Sequence, residues 1–351
     1  MKDSNNIKVL VIDDSSVFRR VISKHLQEYQ NLDVVDTAKD SYEARDKILK
    51  FKPDVLTLDI EMPGIDGIEF LRILMSQYPI PTIVISSANG RCFEAISAGA
   101  VGFVEKPTAS TMSDFSRDLA SKIKEASVAK LKKINTATNI SSTDENTSKK
   151  RIIDSNINIK NSKSIIAIGA SMGGVEAISK LLKKLPLGLP PIVITQHMPP
   201  IFTKKYAQRL NEECLINVSE GKHGQELQSG HAYIAPGGLQ MGVIKKNNKY
   251  VLEVKEGEKV SGHCPSVDYL FESVAKASKE KTIGIILTGM GYDGAKGLLD
   301  IKKAGGCTVG QNKHSCVVYG MPMSAKNMGA VLKETSLDMI PNVILNQLKN
   351  N

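Results

Sequence analysis

From Ile7 onward, short apolar runs alternate with amphipathic stretches, and this alternation limits the architectures open to the chain more than any other feature. Runs at Ile7–Ile12, Asp33–Ala38, Val55–Asp59, Thr82–Ser86 and Gly102–Val104 have the length and branched-residue content of buried strands. Helical patterns at 15–29, 41–51, 67–77 and 91–98 separate them, and one at 113–126 follows. Five strand–helix units predict a parallel sheet wrapped by helices. The polar residues fall at strand ends: Asp13 and Asp14 after the first, Asp59 at the third, Ser86 at the fourth and Lys106 beyond the fifth. Carboxyl ends of parallel strands share one edge, so these side chains can converge despite their separation in sequence.

Three carboxylates brought together repel one another, and a hard dication with oxygen ligands relieves that repulsion. Magnesium suits the set, because it binds through a few carboxylates and keeps waters and phosphate oxygens. Asp59 could then attack a phosphorus atom while the metal and Lys106 neutralise the equatorial oxygens. Helix capping would account for Asp13 and Asp14 but for neither Asp59 nor Lys106. The motifs Val-Ile-Asp13-Asp14-Ser, Leu-Asp59-Ile-Glu-Met-Pro-Gly-Ile-Asp-Gly, Ile-Ser86-Ser-Ala and Phe-Val-Glu-Lys106-Pro107 together resemble the signature of a two-component receiver domain. The resemblance implies a flavodoxin-like fold with strand order 2-1-3-4-5. It further implies Asp59 as phosphoacceptor, Mg²⁺ held by Asp13, Asp14 and Asp59, Ser86 and Lys106 as sensors of the phosphoryl group, and a chemotaxis histidine kinase as phosphodonor.

The second half repeats the logic. Ser164-Ile-Ile-Ala-Ile-Gly-Ala-Ser171-Met-Gly-Gly-Val is an apolar run that stops at a Gly-rich turn and feeds a helix over 174–185, which sets Ser171 at a sheet edge. Gly169-Ala-Ser171-Met-Gly173 fits G-x-S-x-G, although the order Ser, His, Asp differs from that of α/β-hydrolases and does not import their fold. The strand Ile192–Gln196 ends directly before His197, an imidazole placed to take the serine proton. Residues 230–256 read as a hairpin appended to the sheet, with strands at Ala232–Ala235, Met241–Lys245 and Tyr250–Lys255. After a helix at 267–277, the strand Ile283–Leu287 ends in Thr288-Gly-Met-Gly-Tyr-Asp293, and Asp293 is placed to bind the far nitrogen of His197. An N-cap for the helix over 295–304 is the competing account of Asp293. The other histidines, His263 among them, carry no such signal.

Gly-Ala-Ser171-Met-Gly-Gly, Gln-His197-Met-Pro, Ile-Ala-Pro-Gly-Gly, Pro-Ser-Val-Asp-Tyr-Leu-Phe, Leu-Thr-Gly-Met-Gly-Tyr-Asp293-Gly-Ala and Val-Tyr-Gly-Met-Pro resemble the catalytic domain of the chemotaxis protein-glutamate methylesterase (CheB) family. The implied organisation is a receiver at 1–126, a flexible polar linker at 127–163 and a second, doubly wound and mainly parallel α/β catalytic domain with a β-hairpin at 164–351. The resemblance implies Ser171 as nucleophile, His197 as base, Asp293 as its orienting partner and the Met290 N–H as oxyanion donor. It implies no cofactor at the esterase site. The implied substrates are glutamate γ-methyl esters on methyl-accepting chemoreceptors, often with deamidation of receptor glutamine as a second activity. Met172 stands where threonine is usual, Gln240 where histidine is common, Cys264 where arginine is common, and Gln-Asn-Lys-His at 311–314 replaces a more acidic run. These departures are expected to affect substrate surface or rate and to leave the triad alone.

Composition bounds the alternatives. A chain of 351 residues suggests two domains at roughly 150 residues each. No apolar run is long enough to cross a bilayer and the N-terminus lacks a signal peptide, so a cytoplasmic protein without membrane insertion is expected. Cysteines 92, 214, 264, 307 and 316 form no C-x-x-C pair, which argues against a disulfide framework or a zinc ribbon. The net charge of +9 invites a nucleic-acid reading, but eight basic against three acidic residues between Lys130 and Lys163 place much of it in the linker. No nucleic-acid partner is expected. A nucleotide-binding regulator would need G-x-G-x-x-G and a ribose-binding acid after the next strand, where Thr-Gln-His stands instead. A DNA-binding response regulator would need helix-turn-helix patterning in the second half, which alternates strands and helices.

Overall fold

The computed structural model describes residues 6–87, 91–131 and 164–350. The chain divides into two compact units, one up to Asp144 and one from Glu145. Most of the polar stretch expected as a linker, residues 132–163, lies outside the described residues.

In the first unit, β1 (Ile7–Ile12), β2 (Leu32–Ala38), β3 (Val55–Asp59), β4 (Thr82–Ser86) and β5 (Gly102–Glu105) alternate with α1 (Ser16–Gln27), α2 (Ser41–Phe51), α3 (Gly67–Gln77), α4 (Cys92–Ser97) and α5 (Met112–Ser127). All strand pairs are parallel and the order is β2-β1-β3-β4-β5, as expected. Helix starts follow local chemistry. Ser15 accepts from the Phe18 N–H, Asp40 from Glu43, and Asp66 from both Ile68 and Glu69, each satisfying amides that have no partner within the helix. Ser15, rather than Asp13 or Asp14, is therefore the cap of α1.

The second unit contains β6 (Ile165–Ala170), α6 (Gly174–Leu182), β7 (Ile192–Gln196), α7 (Pro200–Glu213), β8 (Asn217–Glu220), β9 (His231–Ile234), β10 (Gln240–Lys246), β11 (Lys249–Lys255), α8 (Val267–Ser278), β12 (Thr282–Ile286), α9 (Ala295–Lys303), β13 (Cys307–Gln311), α10 (Met321–Asn327), β14 (Lys333–Thr335) and α11 (Ile340–Asn350). Seven strands form one parallel sheet in the order β14-β13-β12-β6-β7-β9-β8. Helix α6 stops three residues short of the expected 185, because Pro186 disfavours helical backbone at the residue before it. The expected hairpin is present as β10 and β11, but its first segment belongs elsewhere. The segment at 231–234 is a strand of the main sheet, parallel to β7 and β8, whereas β10 and β11 form an antiparallel ribbon packed on α8, with β11 also bridged to Glu226. The turn of that ribbon is Asn247-Asn248, both at positive φ, the backbone a two-residue type I′ turn requires.

The core of the second unit lies between the sheet and α8 and α9. Val267, Leu270, Phe271 and Val274 recur at helical spacing along α8 and are fully buried against Ile165, Ala167, Leu298 and Ile301. Each such side chain contributes about 1.5–3 kcal/mol by leaving water, which fixes the start of α8 firmly under the sheet edge. In both units the chain builds outward from one strand and then returns to its other side. The reversal falls between β1 and β3 in the first sheet and between β6 and β12 in the second. A crevice opens at such a reversal beyond the strand ends.

Candidate active site

Ser171 follows β6 at the reversal point. Its N–H donates to the Thr288 carbonyl after β12 at 3.0 Å, and its own carbonyl accepts from Gly174 N at 2.8 Å and Gln196 Nε2 at 2.9 Å. Gly173, at φ 75°, turns the chain into α6 in a conformation that side chains rarely adopt. Register pairs Ala170 with Gln196, so the next residues, Ser171 and His197, leave adjacent strands side by side. The His197 N–H is bound by the Ala170 carbonyl at 3.2 Å.

His197 Nε2 lies 2.7 Å from Asp293 Oδ2. The Asp293 carboxylate is 1% exposed and saturated with donors: the Val267 N–H at 2.8 Å also meets Oδ2, while Ser266 Oγ at 2.8 Å and the Asp268 N–H at 2.9 Å meet Oδ1. Burial pushes the carboxyl upward, but the His197 hydrogen bond and charge, with the Asp268 and Val267 amides, outweigh burial and hold Asp293 below the usual carboxylate range. Asp293 does sit at a helix N-terminus, as the capping account supposed, but that helix is α8; the cap of α9 is Gly294. With Nε2 committed to Asp293, the remaining ring nitrogen, Nδ1, is buried and has no hydrogen-bond partner among the described residues.

Met290 is 39% exposed, and among the described residues its N–H donates to no protein acceptor. It follows Gly289, where a Cβ would lie 2.8 Å from Ser171 Cβ, so the backbone ahead of Met290 runs directly beside the serine. Met172 is 5% exposed and its carbonyl accepts from Thr288 Oγ1 at 3.0 Å; its side chain is part of the core. Gln240, expected to bear on substrate surface or rate, lies inside the fold. It is 1% exposed and takes the Ser266 N–H on Oε1 at 2.9 Å, while Nε2 donates to the Glu258 and His263 carbonyls. It thus buttresses the residue that binds Asp293. Ser266 and Asp268 carry a structural load that strand-end reasoning missed, although Pro-Ser-Val-Asp ahead of an apolar run is an N-cap signature. His263 was missed as well: its ring stacks on that of His197.

In the first unit, carboxylate oxygens of Asp13, Asp14 and Asp59 all lie within 4.8 Å of one another. Lys106 Nζ is 2.8 Å from Asp59 Oδ2 and 3.3 Å from Asp13 Oδ2. Burial, then the Asp59 charge, pushes Asp13 up to about 6 despite Lys106 and the Ser15 N–H. Burial favours loss of the Lys106 proton, but its hydrogen bond to Asp59 and the two aspartate charges prevail and raise its pKa. One ammonium against three carboxylates leaves a net negative oxygen cluster, which fits a hard dication. Ser86 is buried at the end of β4, one position beyond the register partner of Asp59, with its hydroxyl donating to the Ser87 carbonyl at 2.9 Å.

Such a pair of units describes a response regulator whose output half is an α/β domain with a Ser–His–Asp constellation. Residues 9–113 match the family model of the response regulator receiver domain, and residues 166–344 match that of CheB methylesterase. The chain is 44% identical over 348 residues to the protein-glutamate methylesterase/protein-glutamine glutaminase 2 of Syntrophomonas wolfei, covering 97% of this chain and 98% of that protein. It is 41% identical over 351 residues to the protein-glutamate methylesterase/protein-glutamine glutaminase of Escherichia coli O157:H7, covering 97% of each. The crystal structure of the Thermotoga maritima CheB methylesterase catalytic domain aligns at TM-score 0.51 and 37% identity, over 52% of this chain and 98% of that one. The chain belongs to the CheB methylesterase family, with a receiver domain preceding the methylesterase domain.

Proposed function

We propose that this protein hydrolyses glutamate γ-methyl esters on chemoreceptors under control of receiver phosphorylation, and that it also deamidates receptor glutamine. The observation that carries the reading is the His197–Asp293 pair beside Ser171, with Asp293 saturated by donors and His197 Nδ1 left open. Ser171 Oγ adds to the ester carbonyl as its proton passes to His197 Nδ1. The imidazolium, stabilised by Asp293, returns that proton to the departing methoxide, and methanol leaves. Water then attacks the acyl-enzyme with the same proton relay and frees the glutamate carboxylate. The Met290 N–H supports the oxyanion of both tetrahedral intermediates. Deamidation follows the same course with ammonia as the leaving group.

In the receiver, Asp13, Asp14 and Asp59 would hold Mg²⁺, which supplies charge neutralisation for phosphoryl transfer. Asp59 accepts the phosphoryl group from a chemotaxis histidine kinase, and Lys106 and Ser86 respond to it. No described helix is long and apolar enough to cross a membrane, which is compatible with the cytoplasmic setting this role requires.

Methanol release from methylated receptor tests the reading. Ser171→Ala is expected to lose several orders of magnitude in rate, and retention of more than roughly a tenth of turnover would remove Ser171 as nucleophile. Mg²⁺ with a small phosphodonor is expected to raise the rate of the intact chain, and Asp59→Asn to abolish that response while keeping basal activity. A fragment from Ser164 onward is expected to outpace the unphosphorylated chain; a fragment no faster would rule out restraint by the receiver.

A further inference from the structure

The ring of His263 lies flat on that of His197, with centroids 3.7 Å apart and planes 11° from parallel. The base needs such a wall. Asp293 holds one corner of the imidazole, at Nε2, whereas among the described residues Nδ1 has no hydrogen-bond partner to hold the other. A ring tethered at one corner retains rotation about Cβ–Cγ, a broad torsion in histidine. Rotation would change the direction in which Nδ1 points, and a neighbouring ring in face contact blocks it. We propose that His263 is a positioning residue for the base: a flat wall that fixes the tilt of His197 and so aims Nδ1 at Ser171. The inference rests on the assignment of Ser171 and His197 made above.

The wall is built to be rigid. Val260 and His263 exchange both backbone hydrogen bonds, at 3.0 and 2.9 Å, across Ser261 and Gly262, which are both at positive φ as in a type I′ turn. Gln240 Nε2 binds the His263 carbonyl at 3.2 Å, and Gln240 Oε1 binds Ser266 N. Ser261 Oγ binds Asp268 Oδ2 at 2.7 Å. Ser266 and Asp268 are the residues that also donate to Asp293. The N-terminus of α8 is thus a common frame for both contacts on the imidazole, one at its edge and one at its face. Flatness, not a second titrating group, is what the role demands.

The test compares His263→Phe, His263→Leu and His263→Ala with wild type by steady-state methanol release, with Ser171→Ala as control. His263→Ala and His263→Leu are expected to lower kcat by roughly 10–100-fold with KM within about threefold, the signature of misaligned reacting atoms, while His263→Phe stays within about threefold of wild type. Equal activity of the Leu and Phe variants would reduce His263 to a space-filler and overturn the proposal. So would wild-type kcat in the Ala variant, or a Phe variant as slow as Ala. If His263→Ala fails to fold, the Phe and Leu variants, which both fill the site, decide. Failure of the underlying assignment has a different signature: hydrolysis that survives Ser171→Ala.

Discussion

Gly289→Ala is a sharp probe of how closely the site is packed. Position 289 lacks a left-handed backbone, so alanine meets no torsional penalty there and its effect is steric. The added methyl would stand 2.3 Å from Met321 Sδ, 2.8 Å from Ser171 Cβ and 3.1 Å from Ser171 N. Two carbons at rest lie about 3.5 Å apart, so the serine contact is short by roughly 0.7 Å. Met321 is fully buried and cannot swing into solvent. Backbone bonds from Ser171 N to Thr288 O and from Gly289 N to Val318 O tie both segments down, so relief comes from moving Ser171 relative to Met290. Overpacking of this kind costs about 1–3 kcal/mol, or a fall in Tm of roughly 2–12 °C for a domain of this size. With Ser171 as the proposed nucleophile, a displacement approaching 1 Å costs about 100-fold in rate. The expected result is a folded protein whose kcat for methanol release drops on that order while KM changes little. A kcat within about twofold of wild type and an unchanged Tm would refute the packing argument.

Ser266→Ala removes a helix cap worth about 1 kcal/mol and a hydrogen bond to a buried carboxylate worth about 1.5–3 kcal/mol. Calorimetry is expected to show a Tm lower by roughly 5–15 °C, with smaller loss of turnover than Asp293→Asn because the Val267 and Asp268 amides remain; a Tm within about 2 °C of wild type would contradict the network. Met172→Thr is expected to keep kcat within about tenfold, since Met172 lines the core, while the cavity it leaves lowers stability by about 1–3 kcal/mol. Asp13, pushed up to about 6 by burial and by Asp59, binds its proton more tightly folded than unfolded. The associated stability is present at low pH and lost as pH rises through about 6, where a dication can replace the proton. Mg²⁺ is therefore expected to raise the melting temperature of the receiver transition more at about pH 7.5 than at about pH 5, and an equal shift at both would argue against Asp13 as a ligand.

Central strands were legible because branched apolar residues dominate their buried positions, as in Ile7–Ile12, Ile192–Gln196 and Thr282–Ile286. Strand-end placement then brought Ser171, His197 and Asp293 to one edge. The strands β13 and β14 were opaque for the opposite reason. Thr308 and Gln311 are buried polar residues of β13 whose partners, the Ala330 and Ser315 carbonyls and the Thr288 N–H, come from elsewhere in the fold. Lys333-Glu334-Thr335 of β14 has no apolar residue and pairs only because β13 offers an edge. The support of His197 was equally hidden. Gln240, His263 and Ser266 act through contacts that no local period encodes, and a lone histidine ahead of Cys-Pro gives no hint that its ring faces another 66 positions earlier.

The seven-stranded sheet has its outermost strands among its shortest, four residues at β8 and three at β14. An open rim of unpaired amides and carbonyls is a template on which a second chain can add a strand, and the hazard grows with the length and apolar character of the rim. Here the rims offer only four and three residues for pairing. Lys333 and Glu334 stand exposed along one and Asn217 begins the other. A chain molecule seeking to extend this sheet would gain few hydrogen bonds and would have to strip water from charges to do so. The same sparse patterning that hid β14 in the sequence thereby guards the folded enzyme against sheet-to-sheet self-association at high concentration.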